Sequence, residues 1–378
     1  MLKTIRDKLR SELETPRDQR PFGSGWIAGT LGLAAAIAGL TFVIALKFPD
    51  TFTTPELQMV TFSTWFRFVI FFLLISAFVL AALSMVLRER KTLGVTTLAI
   101  TLLATLLGGL HIAPQTGQTA GVFFGLDFFI VNVIFLGFIF IPLERLFPRH
   151  PEQTVFRTEW REDLFYYLIS SMMVQILTFL TLAPSNSILS HTDFATIRSA
   201  IGSQPFVLQV IEIMFLTDLA QYWLHRAFHR IPALWKFHAV HHSAQSMDWL
   251  AGARMHFLEV ITLRAVTATP MFVLGFTESA LQTYILIVYV YSSILHSNLQ
   301  VEPKWLSKIL ATPRFHHWHH GIEREAIDVN FSIHFPLFDR LFGTNHMPED
   351  RWPEGYGIKG HPVPKGYIKQ MLYPFKRP

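Results

Sequence analysis

The strongest constraint on this chain is a series of apolar, charge-poor runs, each close to the roughly 20 residues that a helix needs to cross a bilayer. The clearest cover residues 26–46, 68–87, 93–110 and 123–142, and further stretches at 165–183, 205–223, 260–275 and 279–295 bring the number to about eight. The last two are short enough to form a re-entrant hairpin instead. Only 16% of the residues are charged and 51% are hydrophobic, against about a quarter charged in soluble domains. Inside hydrocarbon every backbone N–H and C=O must be satisfied within the segment, which selects helices. The expected fold is therefore all-α, a polytopic membrane helix bundle.

Lys and Arg alternate by loop. They are dense before residue 26 (Lys3, Arg6, Lys8, Arg10, Arg17, Arg20), nearly absent from 49–65, present as Arg88, Arg90 and Lys91, absent from 112–122, and present again as Arg145, Arg149, Arg157 and Arg161. Basic loops stay on the cytosolic side. This puts the N-terminus in the cytosol, reads the first run as an uncleaved signal anchor, sets 184–204 outside, and returns the chain to the cytosol just after Trp223. The net charge of +5 is spread over these loops, which fits anionic lipid headgroups and excludes nucleic-acid binding. Zero cysteines exclude disulfides, thiolate zinc sites, iron–sulfur clusters and thiolate-ligated haem.

No repeat or low-complexity tract is present, and a polar joint at 148–163 divides the chain into an N-terminal bundle of about four spans, 1–147, and a second part, 148–378. Apart from His111 and His150, expected at membrane or loop edges, fifteen of the 17 histidines lie in the second part. His225 and His229 stand four residues apart where the sixth run leaves the bilayer, so on a helix they share a face. The segment H-A-V-H-H gives His238, His241 and His242, and R-F-H-H-W-H-H gives His316, His319 and His320, both at i, i+3, i+4 spacing that predicts three imidazoles on one side of a helix. His317 falls on another side, and His296 closes the last apolar run.

Nine imidazoles brought together repel through their lone pairs when neutral and through their charges when protonated, and a divalent cation removes both problems. Imidazole suits iron, zinc, copper and nickel, whereas magnesium and calcium prefer oxygen. Nine such donors supply four or five ligands to each of two ions. Asp218, an ionisable group within an apolar run and two turns before His225, is the first candidate to orient a ligand ring from behind, with Glu212 weaker. His256 is read either as a metal or supporting group or as a helix-start residue. Asn298, Asn330 and Asp339 are read as ring-orienting, capping or turn residues, and His334, His346 and His361 as structural or surface residues. Trp223, Trp235 and Trp318 are read as belonging to the aromatic belt of the membrane interface or, failing that, as shields of the metals.

In order and spacing these motifs resemble the fatty acid hydroxylase/sterol desaturase superfamily of integral-membrane di-iron oxygenases. The resemblance rests on D-L-A-Q-Y-W-L-H-R-A-F-H, W-K-F-H-A-V-H-H-S, H-S-N, P-R-F-H-H-W-H-H and N-F-S-I-H-F-P-L-F-D-R-L-F-G-T, and covers about 144–344. It implies a catalytic part with a cytosolic histidine-rich cap, in which the nine histidines bind two irons, with zinc found in isolated proteins, and O2 as co-substrate. The implied reaction hydroxylates or desaturates a lipid such as a sterol, fatty acid or sphingolipid. Where members carry a further histidine near H-S-N, this chain has only His296, so the tenth ligand is Asn298, His256 or water. No dinucleotide, flavin or haem motif is present, which calls for an external donor, a ferredoxin or b-type cytochrome with its reductase. The 1–142 region has no counterpart in compact members of the superfamily and reads as an extra bundle for substrate access or partner docking. Two rival readings are a membrane zinc-dependent lipid hydrolase, which needs about three ligands, and a histidine-based metal transporter, which would set its ligands at mid-membrane depth. The oligomeric state is not encoded in these motifs.

Overall fold

A computed structural model of the protein describes residues 2–15, 19, 23–54, 63–108, 126–349 and 351–376. His111, Arg17, Arg20 and the 112–122 loop lie outside the described residues. The described residues are helical, with isolated bridges at Pro148–Leu299 and Gly321–Tyr356 in place of any strand. They fall into two compact units, one of Met1–Gly137 with residues 154–156 and 171–175, the other comprising the rest.

The first unit contains α1 (Leu2–Leu13), α2 (Trp26–Lys47), α3 (Thr64–Leu87) and α4 (Thr92–Leu106). Helix α2 packs against both α3 and α4 around Val43, Leu46, Phe66, Ile70 and Ala104. Small residues make this approach close, as usual where apolar tails surround the bundle and packing must hold the helices together. A methyl added at Gly94 would sit within 2.9 Å of the Ala81 carbonyl oxygen. Phe68, Phe72, Phe78 and Val86 point outward, as a lipid-facing surface requires. Glu12, at the end of α1, is buried; it pairs with Arg88 at 3.4 Å and accepts from the Thr92 N–H at 3.2 Å, capping α4.

The chain continues through α5 (Leu126–Leu146), then α6 (Trp160–Met172) and α7 (Val174–His191), which meet at a 65° bend. In the second unit α8 (Phe206–Arg230) packs on α10 (Phe257–Leu274) and α11 (Glu278–His296) around Val210, Ile213, Met271 and Tyr284. Two short helices, α9 (Pro232–His238) and α12 (Pro313–His319), carry histidines beyond the ends of these long ones. Four helices, α2, α3, α8 and α10, are long and apolar enough to cross a membrane, and α6 with α7 makes a fifth if the bent pair is one span. The chain is a multi-pass membrane protein. This is fewer than the about eight runs counted from composition. With 15 residues, α4 is about 22 Å long, short of a hydrocarbon core of about 30 Å. Helix α11 brings Glu278, Gln282 and several hydroxyls into its run, and the start of the 123–142 run lies outside the described residues.

One buried ionic network ties the second unit's loops together. Arg157 donates to both oxygens of Asp248, at 2.7 and 2.8 Å, and also bonds Asp163, which in turn accepts from Arg254 Nε at 2.5 Å. Asp248 also accepts the N–H groups of Leu250 and Ala251, so the 248–254 segment is pinned at both ends. A guanidinium stripped of its carboxylate in such a site cannot recover its hydration. Replacing Asp163 with Ala is expected to destabilise the protein by about 3–5 kcal/mol, read as a lowered denaturation midpoint, whereas the exposed Arg6–Asp7 pair can be removed with little change.

Candidate metal centre

All nine candidate histidines come together, in two adjoining groups. His225, His229, His238, His242 and His319 form one, and His241, His296, His316 and His320 the other; within each group the candidate ligand nitrogens lie within 4.8 Å of one another. The i, i+3, i+4 triplets do not act as blocks. Helix α9 stops at His238 and a 3-10 turn, His241–Ser243, follows. His238 and His242 stay together while His241 crosses to the other group, and likewise His316 and His320 stay together while His319 crosses. The expectation of three imidazoles per triplet on one side is corrected accordingly. Each triplet stitches the two groups to each other, and the His242 and His320 rings stack 4.3 Å apart at the join.

The orientation of the rings is set from behind. The Nδ1 atoms of His225, His319 and His241 donate to the carbonyls of Phe331 at 2.8 Å, Val329 at 2.7 Å and Arg254 at 3.0 Å. His296 Nδ1 lies 2.8 Å from the Ser292 carbonyl, and His238 Nδ1 lies 2.5 Å from Glu259 Oε1. An imidazole that uses its N–H this way presents a bare lone pair at Nε2. Yet these Nε2 atoms face each other, His225 to His238 at 3.0 Å and His296 to His241 at 3.4 Å, while His242 Nε2 lies 3.1 Å from His238 and 3.0 Å from His319, and His316 Nε2 lies 3.0 Å from His296. Two lone pairs cannot hydrogen-bond to one another. A metal–imidazole bond of about 2.0–2.1 Å sets neighbouring donors about 2.9–3.4 Å apart at angles between square and tetrahedral. The residues present therefore fit a metal ion in each group.

Burial keeps the rings neutral. His238, His241, His242, His316, His319 and His320 are held well below the ordinary imidazole range, first by loss of hydration and then by neighbouring imidazoles. Neutral imidazole is the form that binds metal.

The loop that supplies two of the carbonyls is itself tightly held. Asp339 accepts from Phe331 N at 2.7 Å and Ser332 N at 2.9 Å, and Asp218 accepts from Ile333 N at 2.8 Å and Phe335 N at 2.6 Å. Asn330, at positive φ, ties Phe315 and His346 to the same turn. Asp218 thus acts through the backbone of this loop and touches no ligand ring directly. The ring-orienting carboxylate is Glu259, which sequence reasoning passed over in favour of its neighbour His256. The same signal was available for both acids, an ionisable group inside an apolar helix. Gly252 was also missed: a methyl there would stand 2.8 Å from His296 Nδ1.

The remaining candidates lie elsewhere. His256 starts α10, its Nδ1 accepting from Leu258 N, and its Nε2 donates to the Met371 carbonyl. Asn298 clasps the backbone of His150 through both side-chain atoms. Neither reaches the four-histidine group, so no tenth protein ligand is found among the described residues. His317 turns away to Tyr356 Oη at 2.8 Å and the Ser297 carbonyl at 3.1 Å, bracing the backbone beside His296 rather than a ligand ring. Glu212 accepts from Gln204. Trp318 is fully buried and donates to the Arg351 carbonyl, and Trp235 packs on His229. Trp223 is half exposed near the end of α8.

The family profile described as fatty acid hydroxylase matches residues 210–344, the stretch that holds all nine histidines. Over that stretch the chain is similar to the fatty acid hydroxylase family. Among its relatives, the ornithine lipid hydroxylase OlsE of Rhizobium tropici is 31% identical over 176 residues, 46% of this chain and 52% of that protein. Human alkylglycerol monooxygenase is 27% identical and the Danio rerio enzyme 30%, each over 146 residues, 39% of this chain and 32% of theirs. This chain therefore spans about half the length of the first relative and a third of the others. No solved structure matches.

Two outcomes follow from this geometry. Glu259→Gln should weaken metal binding about 10–100-fold, measured by competition with a chelating dye. The metal-free protein should lose stability as pH falls below about 6.5, because there the unfolded chain takes up protons that the folded imidazoles refuse. A thermal unfolding midpoint independent of pH between about 7.5 and 5.5 would contradict this assignment of neutral rings.

Proposed function

We propose that this protein is a membrane lipid hydroxylase, using O2, two irons and electrons from a separate carrier to hydroxylate a C–H bond. The observation that carries the reading is the convergence of nine imidazole rings in two adjoining groups. In this reading His225, His229, His238, His242 and His319 would hold one ion, and His241, His296, His316 and His320 would hold the other. The relatives, an ornithine lipid hydroxylase and an alkylglycerol monooxygenase, support a lipid substrate.

When bound, the metals supply the power to activate O2 for attack on an unactivated carbon. The chain's own residues do the rest. Glu259 and the carbonyls of Phe331, Val329 and Arg254 fix the tautomer and aim of the rings, and Asp218, Asp339 and Asn330 hold the carbonyl-bearing loop still. Burial of the site excludes water. Because α8 and α10 carry or adjoin these groups where they leave their apolar stretches, a lipid chain can enter from the bilayer while its headgroup stays at the interface. The basic loops set this end, and the N-terminus, on the cytosolic side. Iron in place of zinc, hydroxylation in place of desaturation, and this sidedness are parts of the proposal.

A zinc-dependent lipid hydrolase needs about three ligands and one ion, and leaves the second group unexplained. Purified with ferrous iron under anaerobic conditions, the protein is expected to hold about two irons per chain. His319→Ala and His241→Ala should each lose about one of them and abolish O2-dependent formation of hydroxylated lipid, followed by mass spectrometry of extracted lipids. A single tightly held zinc, with lipid cleavage in the absence of O2, would defeat the assignment.

A further inference from the structure

The reaction R–H + O2 + 2 e⁻ + 2 H⁺ → R–OH + H2O takes two electrons from outside, and the chain must receive them somewhere. The ring contacts of the nine histidines restrict where. Among the described residues, the four-histidine group touches only other histidine rings. The five-histidine group touches Phe228 and Phe331, both buried, and Trp235. Trp235 is the one of these that reaches the surface. Its indole lies 5.1 Å from the His229 ring, 5.5 Å from His242 and 6.2 Å from His238, so one easily oxidised side chain contacts three of the five.

The surface around it is built for a transient protein contact. Exposed apolar residues Ile231 and Phe375 flank α9, and Phe375 is held there by the Phe237 ring at 5.6 Å. The surrounding cations are Arg230, 58% exposed, Lys236 and Lys376, with Lys236 Nζ donating to the Lys376 carbonyl at 3.4 Å. The acid facing this cluster is Asp328, paired with Arg230 at 3.3 Å and 3.5 Å from His229 Nδ1. A small apolar centre with a positive rim suits brief, electrostatically steered encounters with an acidic partner.

We propose that the face formed by Arg230, Ile231, Lys236, Phe375 and Lys376 docks an acidic one-electron carrier protein, and that Trp235 is the contact across which the carrier's electron moves to the metal ion that the five-histidine group would hold. This rests on the hydroxylase reading above and names the receiving surface of that site. Each encounter oxidises the carrier by one electron, and two encounters complete one turnover. The competing occupant is an anionic lipid surface, which would use the same cations without needing Trp235.

The test uses the full chain in phosphatidylcholine nanodiscs and a plant-type [2Fe–2S] ferredoxin as probe. Binding of oxidised ferredoxin to the protein is measured by surface plasmon resonance at low and high salt, and oxidation of reduced ferredoxin by the iron-loaded protein is followed in a stopped-flow. Binding should weaken with salt, and K236E/K376E should weaken it by about tenfold or more. W235L should bind ferredoxin as the native chain does and hold the same iron, yet slow ferredoxin oxidation about tenfold or more while dithionite reduces it at the native rate. W235F should fall between. No ferredoxin binding by the native chain, charge reversal that alters only association with phosphatidylglycerol nanodiscs, or equal slowing of both reductants in W235L would overturn the proposal. A chain that takes up no iron would instead defeat the hydroxylase reading, and the binding comparison would still judge the surface.

Discussion

Everything in the second unit is subordinate to one electrostatic problem: nine imidazole rings converge out of water in two adjoining groups. Neutral rings repel weakly and cannot satisfy one another, and protonated rings repel strongly where there is no solvent to screen them. The protein resolves half of the problem from behind, by giving Nδ1 of several rings a carbonyl or carboxylate, and thereby commits Nε2 to a metal.

The supports for those carbonyls reach far from the rings. The Arg254 carbonyl that orients His241 belongs to a residue whose guanidinium is locked to Asp163, and the Asp163 carboxylate is shared with Arg157, itself bidentate on Asp248. The Phe331 carbonyl that orients His225 belongs to a turn clamped by Asp339 and Asp218. Buried ion pairs add little net stability but cost heavily when one partner is lost. Here they place the ring partners within hydrogen-bond reach, and that positional role accounts for so many charges in an apolar chain. Gly252 contributes by absence, since its missing side chain is the space that the His296 ring occupies.

Much of this was legible in the residues themselves. The apolar runs gave helices and a membrane, because period, length and lack of charge leave no other way to satisfy the backbone in hydrocarbon. The nine histidines could be picked out because paired H-x2-H-H sets and an H-x3-H set have no economical use apart from metal. Asp218 could be flagged by its cost inside an apolar helix, and Glu259 carried the same flag. What could not be read was which histidine joins which group. Spacing alone treats i, i+3 and i+4 as one face, but successive residues lie about 100° apart around a helix, so with a second group alongside His241 and His319 each turn away from the other two histidines of their triplets.

The sequence by itself therefore determined the solvent, the helical class and the imidazole character of the site, since these follow from composition and local period. Only the tertiary structure decided the five-and-four division, the choice of Glu259 over Asp218 as the carboxylate behind a ring, the retreat of His256, Asn298 and His317 from the centre, and the contact of Trp235 with three ligands. Each of these depends on which distant carbonyl or ring faces a given nitrogen, and such pairings between residues up to 148 positions apart leave no mark in local sequence.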